Sequence, residues 1–208
     1  MSYGTGFDWA LSEKESIEQI KTAYALGINV SSLSRYPAFS LIYLRQTFDT
    51  ANIYSGGQSE IILGKALKEI NGPRESFVIM TKVYFPTLAN GEMTVDQFVA
   101  GEQPDDYGLV NQWGLSRKNI FDSVKASLKR LDVEYIDVLQ CHRFDKNVDI
   151  PEIMKALDDV VKSGMVRYIG MSSSWAWQFH AMQSKPSQLS PYQAIGFDDA
   201  TPPRLRTR

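Results

Sequence analysis

Four short apolar segments, each followed by a helical pattern, recur along the chain at regular intervals. They begin near residues 47, 77, 135 and 166, so the intervals are 30, 58 and 31 residues. A strand, a helix and their loops together take roughly 30 residues in a parallel α/β fold. The middle interval holds one such unit plus a long loop, residues 84–115. Repeated strand–helix units predict a parallel sheet, either open or closed into a barrel.

The ends of the elements follow from local signals. Ser12 and Glu15 have the spacing of a capping box, and Ser116 is suited to cap a helix. The predicted strands are residues 47–53, 77–83, 135–142 and 166–172; the predicted helices begin after Ser12, at Ser59, after Ser116, at 149–152 and at 175.

A closed barrel is favoured over a dinucleotide-binding open sheet, because no G-x-G-x-x-G follows any predicted strand. A (β/α)₈ TIM barrel needs eight strands and typically about 250 residues. The chain has 208 residues, four predicted strands and a stub of another at residues 1–6. We therefore expect a truncated barrel that contains about strands 2 to 5 and a stub of strand 1.

Two segments do not fit this pattern. Residues 30–46 follow neither helical nor strand periodicity, and they stand where an αβ loop of about 2–6 residues is expected. After residue 183 the periodicity ends again, and we expect residues 184–208 to be a disordered tail.

The overall composition is that of an ordinary globular protein, with 43% hydrophobic residues, 22% charged residues and a net charge of −2. No basic stripe indicates nucleic acid, and no apolar run has the length of a membrane span. Residues 1–10 lack the pattern of a signal peptide, so the cytoplasm is the expected compartment. The single cysteine, Cys141, rules out an internal disulfide framework. No metal-ligand cluster is predicted.

Four side chains of complementary chemistry lie at the ends of three predicted strands. They are Asp49, Tyr54, Lys82 and His142. Each alone has an ordinary explanation, such as a salt bridge at the rim, core packing or a buried histidine. Together they meet the needs of carbonyl reduction: a proton donor, a cation that makes the phenol a better acid, a carboxylate for the cation and a donor to the substrate oxygen.

The segments around these residues resemble the signature segments of the aldo-keto reductases. They are Asp49-Thr50-Ala51-Asn52-Ile53-Tyr54, Thr81-Lys82-Val83, Leu139-Gln140-Cys141-His142 and Gly170-Met171-Ser172-Ser173. Residues 111–118 and 175–179 are similar to the branch that includes fungal aryl-alcohol dehydrogenases. The resemblance implies a (β/α)₈-barrel oxidoreductase that uses NADPH to reduce aldehydes or ketones, with aromatic substrates suggested by the branch.

The resemblance also assigns roles to residues. Tyr54 would be the general acid, Lys82 would promote its ionisation, Asp49 would pair with Lys82, and His142 would orient the carbonyl oxygen. Ser172 and Ser173, together with Asp49, are assigned to the nicotinamide side of the cofactor. A small carbonyl compound is the expected partner, with no nucleic acid or membrane, and the oligomeric state is left open.

The resemblance covers about residues 1–29 and 47–183, so the expected unit is a partial barrel over 1–183 that carries the insert 30–46. The insert begins with Val30 and ends with Gln46, which allows codons with the GT and AG ends of an intron, and its 17 residues correspond to 51 nucleotides. We interpret it as a translated intron; a genuine loop is the alternative.

Because the family's later strands and phosphate-binding loop are not recognisable here, we expect an inactive or impaired fragment of a reductase. The alternative is a non-enzymatic regulatory or binding protein on the same fold.

Overall fold

The computed structural model describes residues 11–27, 46–87, 100–184 and 195–197; residues 195–197 are described by their backbone only. These residues form a parallel sheet of five strands, arranged in the order in which they occur in the chain. The elements are α1 (Glu13–Ala25), β1 (Gln46–Asp49), α2 (Gln58–Ile70), β2 (Phe77–Val83), α3 (Arg117–Leu131), β3 (Ile136–Cys141), α4 (Ile150–Lys162), β4 (Val166–Ser172), α5 (Ala176–Ser184) and β5 (Ile195–Phe197).

The two faces of the sheet have different environments, and the register shows which residues share a face. Leu139 lies opposite Ile169, and both are buried in the core against the helices. Successive residues of a strand point to opposite faces, so the neighbouring row Lys82, Gln140 and Gly170 lies on the face away from the helices. Consecutive helices pack side by side over the first face. The architecture is therefore part of a barrel, with polar groups on the inner face.

The strand predictions are accurate for β2 and β4, whereas β1 is shorter than the predicted 47–53. Thr50 still donates from its amide to the carbonyl of Met80, at 2.9 Å, but the chain then turns. The turn is closed by the amide of Tyr54, which donates to the carbonyl of Ala51 at 3.2 Å. β1 therefore ends at Asp49, and the catalytic candidates Asp49 and Tyr54 are separated by a turn rather than by strand.

The helix caps agree with the sequence at two places and differ at one. Ser12 and Glu15 form the predicted capping box, and Ser116 accepts from the amide of Asn119 at the start of α3. Ser59 was expected to cap α2, but the N-cap is Gly57, two residues earlier, whose φ of +87° is left-handed. The Ser59 hydroxyl is buried and lies 2.8 Å from the Thr50 hydroxyl, so it joins the helix to the end of β1.

The two non-periodic segments lie largely outside the described residues. This holds for 30–45, so the interpretation of an inserted, translated intron stays a prediction. The predicted end of the insert needs one correction, because Gln46 belongs to the sheet. It opens β1, is buried, and donates from its side chain to the carbonyl of Ala23 at 3.1 Å. A second correction concerns the predicted tail 184–208, in which Ile195–Phe197 forms β5 beside β4.

A buried ion pair connects α2 to α3 behind the sheet. Glu60 is fully buried; it accepts from Arg130 Nε at 2.6 Å and from the Thr81 hydroxyl at 2.6 Å. The helices approach closely nearby, since a Cβ on Gly64 would lie 2.4 Å from the carbonyl oxygen of Leu131. Removing one partner of a buried pair leaves an uncompensated charge in the interior, which is strongly destabilising.

We therefore expect Arg130→Met to lower the free energy of unfolding by about 3 kcal/mol, the lower end for broken buried pairs. The lower end applies because 17% of the Arg130 side chain is exposed, whereas none of Glu60 is. The measurement is urea unfolding followed by circular dichroism. Lys118→Met is the matched control, because Lys118 and Asp122 form an exposed pair whose loss costs about 1 kcal/mol or less. Equal destabilisation by the two variants would contradict a stabilising role for the buried pair.

Candidate active site

The ammonium group of Lys82 is the centre of the polar cluster at the carboxyl ends of the strands. Lys82 is 5% exposed and lies near the end of β2. Its Nζ donates to Asp49 Oδ2 at 2.7 Å and to the carbonyl of Thr50 at 2.9 Å, and it lies 3.4 Å from the Tyr54 hydroxyl. An ammonium group has three hydrogens to donate, and these three oxygens match that number. These three oxygens thus replace the water that the buried ammonium group has lost, and two of them belong to the predicted site residues Asp49 and Tyr54.

The second oxygen of the Asp49 carboxylate is held by a residue that the sequence analysis did not select. Gln140 Nε2 donates to Asp49 Oδ1 at 2.8 Å, and Gln140 is 2% exposed. Gln140 lies opposite Lys82 in the register of β2 and β3. The sequence carried one signal, which is a polar amide inside an otherwise apolar strand, two residues before His142. A buried amide needs a hydrogen-bond partner, and Asp49 supplies it.

Tyr54 reaches the cluster from a short 3₁₀ turn, Tyr54–Gly57, between β1 and α2. Ser55, Gly56 and Gly57 all have left-handed backbone conformations, with φ of 50°, 60° and 87°. A left-handed serine costs free energy, on the order of 1 kcal/mol, that the surrounding structure must supply. Gly57 also allows a close approach, because a Cβ there would lie 2.9 Å from Cδ of Arg130. The turn thus directs the phenol towards Lys82 and packs against α3.

His142 follows β3 directly and packs edge-on against two aromatic rings. Its ring centroid lies 5.8 Å from that of Tyr54 and 4.9 Å from that of Phe85. Burial, together with the positive charges of Lys82 and Arg143, lowers the pKa of His142 to about 3. The imidazole is therefore neutral near pH 7, so one ring nitrogen carries a proton and the other does not. Its Nδ1 is buried and has no hydrogen-bond partner among the described residues.

An aromatic wall extends from His142 into the long loop after β2. Asn52 fixes the start of this loop, since its Nδ2 donates to the carbonyl of Phe85 at 2.7 Å. The Tyr84 ring lies 5.2 Å from the Phe85 ring and 6.4 Å from the Trp113 ring. The far end of the loop is held by Asp145, which is buried and accepts from the amide of Leu115 at 2.8 Å.

The predicted cofactor residues Ser172 and Ser173 lie at the end of β4. Ser172 follows Gly170 by two residues and therefore shares the inner face with Gln140 and Lys82. Its hydroxyl lies 3.3 Å from that of Ser173, which has a left-handed φ of 48°. The two adjacent hydroxyls can each donate and accept hydrogen bonds, which fits the donor and acceptor groups of a carboxamide. The residues present are thus compatible with a nicotinamide at this edge.

Two kinds of site are absent from the described part of the chain. No group of three or more histidine, cysteine, aspartate or glutamate side chains there could hold a metal ion. Within the same residues, no helix has the length and apolar character that crossing a membrane requires.

Comparison with known proteins identifies the family of the chain. The sequence profile described as "Aldo/keto reductase family" matches residues 1–194, which is most of the chain. The chain belongs to the aldo/keto reductase family. An aldo-keto reductase of Fusarium vanettenii is 44% identical over 181 residues, covering 85% of this chain and 44% of the relative. A putative aryl-alcohol dehydrogenase of Schizosaccharomyces pombe is 44% identical over 180 residues, with 85% and 50% covered.

A solved structure gives the same result for the fold. The thermostable aldo-keto reductase Tm1743, in complex with the inhibitor epalrestat, matches with a TM-score of 0.60 and 26% identity. The match covers 88% of this chain and 48% of that structure. The predicted (β/α)₈ fold class is thereby confirmed, and the parallel sheet described above is part of that barrel. The chain spans about half the length of the relatives it matches.

These findings bear differently on the individual predictions. The family and its aryl-alcohol dehydrogenase-like branch are confirmed. The structure brings Asp49, Tyr54 and Lys82 into contact and places His142 beside Tyr54. Their catalytic roles in this aldo/keto reductase stay predictions, as do the cofactor roles of Asp49, Ser172 and Ser173. The family match also extends to residue 194, beyond the predicted boundary at 183.

We expect the His142 ring to stay neutral from about pH 8 down to about pH 5, because its pKa is about 3. Nitrogen chemical shifts of the ring should therefore be constant over this range, with His142→Gln used to assign the signals. In the unfolded chain the histidine takes up a proton near pH 6.5, so its neutral burial stabilises the fold fully above that pH. This stabilisation is lost progressively as pH falls from about 6.5 to about 3. A titration of His142 centred near pH 6.5 would contradict the buried environment.

Proposed function

We propose that this chain supplies the proton-transfer residues of an NADPH-dependent carbonyl reductase that acts on aldehydes or ketones, in particular aromatic ones. The observation that carries the proposal is the position of Lys82 Nζ, 2.7 Å from Asp49 Oδ2 and 3.4 Å from the Tyr54 hydroxyl. A phenol beside a buried ammonium can release its proton, because the cation stabilises the negative charge that develops on the phenolic oxygen.

In this proposal Tyr54 donates its proton to the carbonyl oxygen of the substrate as that oxygen becomes an alkoxide. The neutral His142 lies edge-on to Tyr54 and donates a hydrogen bond to the same oxygen. Lys82 holds the resulting phenolate, and Asp49 balances the charge of Lys82. NADPH, when bound, supplies the hydride for the carbonyl carbon. Ser172 and Ser173 would hold its carboxamide, with Asp49 nearby.

The preference for an aromatic substrate is supported by two observations. The rings of Tyr84, Phe85 and Trp113 form a wall that begins at His142. The S. pombe relative is described as a putative aryl-alcohol dehydrogenase. An aromatic aldehyde can stack edge-on or offset against such rings, which positions its carbonyl group near the phenol.

We also propose that these 208 residues alone bind NADPH too weakly for turnover. The described sheet has five strands, whereas the family barrel has eight, and the inner face gains its remaining walls only on closure. Catalysis requires reacting groups held in near-attack geometry on a rigid support. Titration of NADPH into the purified chain should therefore give no saturable quenching of tryptophan fluorescence at micromolar cofactor. Saturable quenching together with aldehyde-dependent oxidation of NADPH would overturn this proposal.

The catalytic proposal is tested by restoring a full barrel. Residues 1–183 are fused to the following half of the F. vanettenii relative, and oxidation of NADPH by an aromatic aldehyde is measured. We expect Tyr54→Phe to lower kcat by about 10²–10⁴-fold, the usual contribution of a general acid, with the Kd for NADPH nearly unchanged.

Tyr24→Phe is the matched control for that experiment, because the Tyr24 ring packs against Phe77 away from the site. It should retain the rate of the unmodified fusion. A Tyr54→Phe fusion that keeps more than about a tenth of the rate would exclude Tyr54 as the acid. A fusion that binds NADPH but reduces no aldehyde would favour the non-enzymatic, regulatory alternative.

A further inference from the structure

We propose that Gln140 is a positioning residue of the site, which fixes the Asp49 carboxylate in the place where it balances Lys82. Gln140 Nε2 donates to Asp49 Oδ1 at 2.8 Å, while Asp49 Oδ2 accepts from Lys82 at 2.7 Å. The two oxygens of one carboxylate are thus divided between a neutral donor on β3 and a charged donor on β2.

The sheet register makes this arrangement possible. Gln140 and Lys82 are opposite each other on neighbouring parallel strands, so both side chains extend from the same face. Asp49 comes from the end of the next strand, β1, which pairs with the other side of β2. The amide of Gln140 must present its nitrogen to Asp49, because a carboxylate can only accept hydrogen bonds.

Asp49 needs such an anchor because its side chain is 44% exposed, whereas the side chain of Lys82 is only 6% exposed. A partly exposed carboxylate can exchange its ion pair for water, and exposed ion pairs gain little free energy by themselves. The second hydrogen bond comes from a group that is 2% exposed and therefore has little freedom to move. Because the amide is neutral, it restrains the carboxylate without adding a charge that would compete with Lys82.

The consequence reaches Tyr54 through Lys82. Among the described residues, the charged and titratable groups around the phenol are Lys82 at 3.4 Å, Asp49, which is paired with Lys82, and the neutral His142 ring, beside which Arg143 lies. With Asp49 in place, the carboxylate offsets part of the positive potential that Lys82 exerts on the phenolic oxygen. Gln140 thus sets how strongly Lys82 favours the phenolate, and it does so through its hydrogen bond to Asp49.

The test is a tyrosinate titration of the full 208-residue chain, followed by near-ultraviolet absorbance. The Tyr54 signal is obtained as the difference between each protein and the same protein carrying Tyr54→Phe. Gln140→Leu removes the hydrogen bond to Asp49 Oδ1, so the carboxylate should offset less of the Lys82 charge and Tyr54 should ionise at lower pH than in the unmodified chain. Gln140→Glu has nearly the same shape but adds a negative charge, so Tyr54 should ionise at higher pH.

A double-mutant comparison separates positioning from a merely structural effect. In an Asp49→Asn background there is no carboxylate left to position, so Gln140→Leu should produce no further shift. Gln46→Leu is the matched control: Gln46 is also a buried strand glutamine, on β1, but its side chain donates to the carbonyl of Ala23. It should lower stability without moving the Tyr54 titration.

Two results would overturn the inference: an unchanged Tyr54 titration in Gln140→Leu, or the same shift with and without the Asp49 carboxylate. If Gln140→Leu does not fold, the Gln140→Glu shift decides, and a shift to lower pH or no shift would contradict the role. The importance of Gln140 rests on the proposed role of Tyr54 as proton donor. The titration itself needs neither cofactor nor turnover. Its result therefore stands even if the proposed reaction is not observed, and the two failures can be told apart.

Discussion

The buried ammonium group of Lys82 is the charge on which the rest of the site depends. Moving an ammonium ion out of water is expensive unless nearby acceptors replace its hydration. Here those acceptors come from the end of β1, from the residue after it and from the turn that follows. Each contact therefore holds a different segment of the chain against β2. The same contacts that compensate the buried charge also place the carboxylate and the phenol beside Lys82.

The parallel sheet makes this convergence possible without long side chains or unusual loops. In parallel strands the carboxyl ends meet at one edge, where residues of equal register share a face. Lys82, Gln140 and Gly170 form one such row, and His142 and Ser172 extend it by one pleat. Helices cover the opposite face, where Leu139 and Ile169 are buried. The division between core and site thus follows from the alternation of side chains along each strand.

Much of this arrangement could be predicted from sequence because its signals are local or periodic. The apolar runs of β2 and β4 and the serine caps of α1 and α3 identify elements without any tertiary information. The four chemical groups stand out because charged or titratable residues rarely end buried strands. The motif resemblance then assigned their expected roles, and the structure shows that the groups are neighbours.

The remaining features depend on contacts between distant parts of the chain, which periodicity does not encode. Gln140 has a partner 91 residues away, so its bond to Asp49 could not be read from either segment alone. β1 ends early because of the turn closed by Tyr54, although its sequence stays compatible with a strand. β5 has only three residues, too few for an alternating pattern, and it is recognised by its pairing with β4.

The distribution of the site along the chain separates two parts of the proposed reaction. The groups proposed to transfer the proton lie at the ends of three consecutive strands, β1 to β3, and in the turn after β1, and each is held by hydrogen bonds or packing within the described residues. Their relative positions are therefore set by contacts between neighbouring strands. The serine pair proposed to hold the carboxamide of NADPH, Ser172 and Ser173, lies at the end of β4. In the proposed reaction, the position of the phenol is thus set by contacts between neighbouring strands, and the carboxamide of NADPH is assigned to a separate strand end.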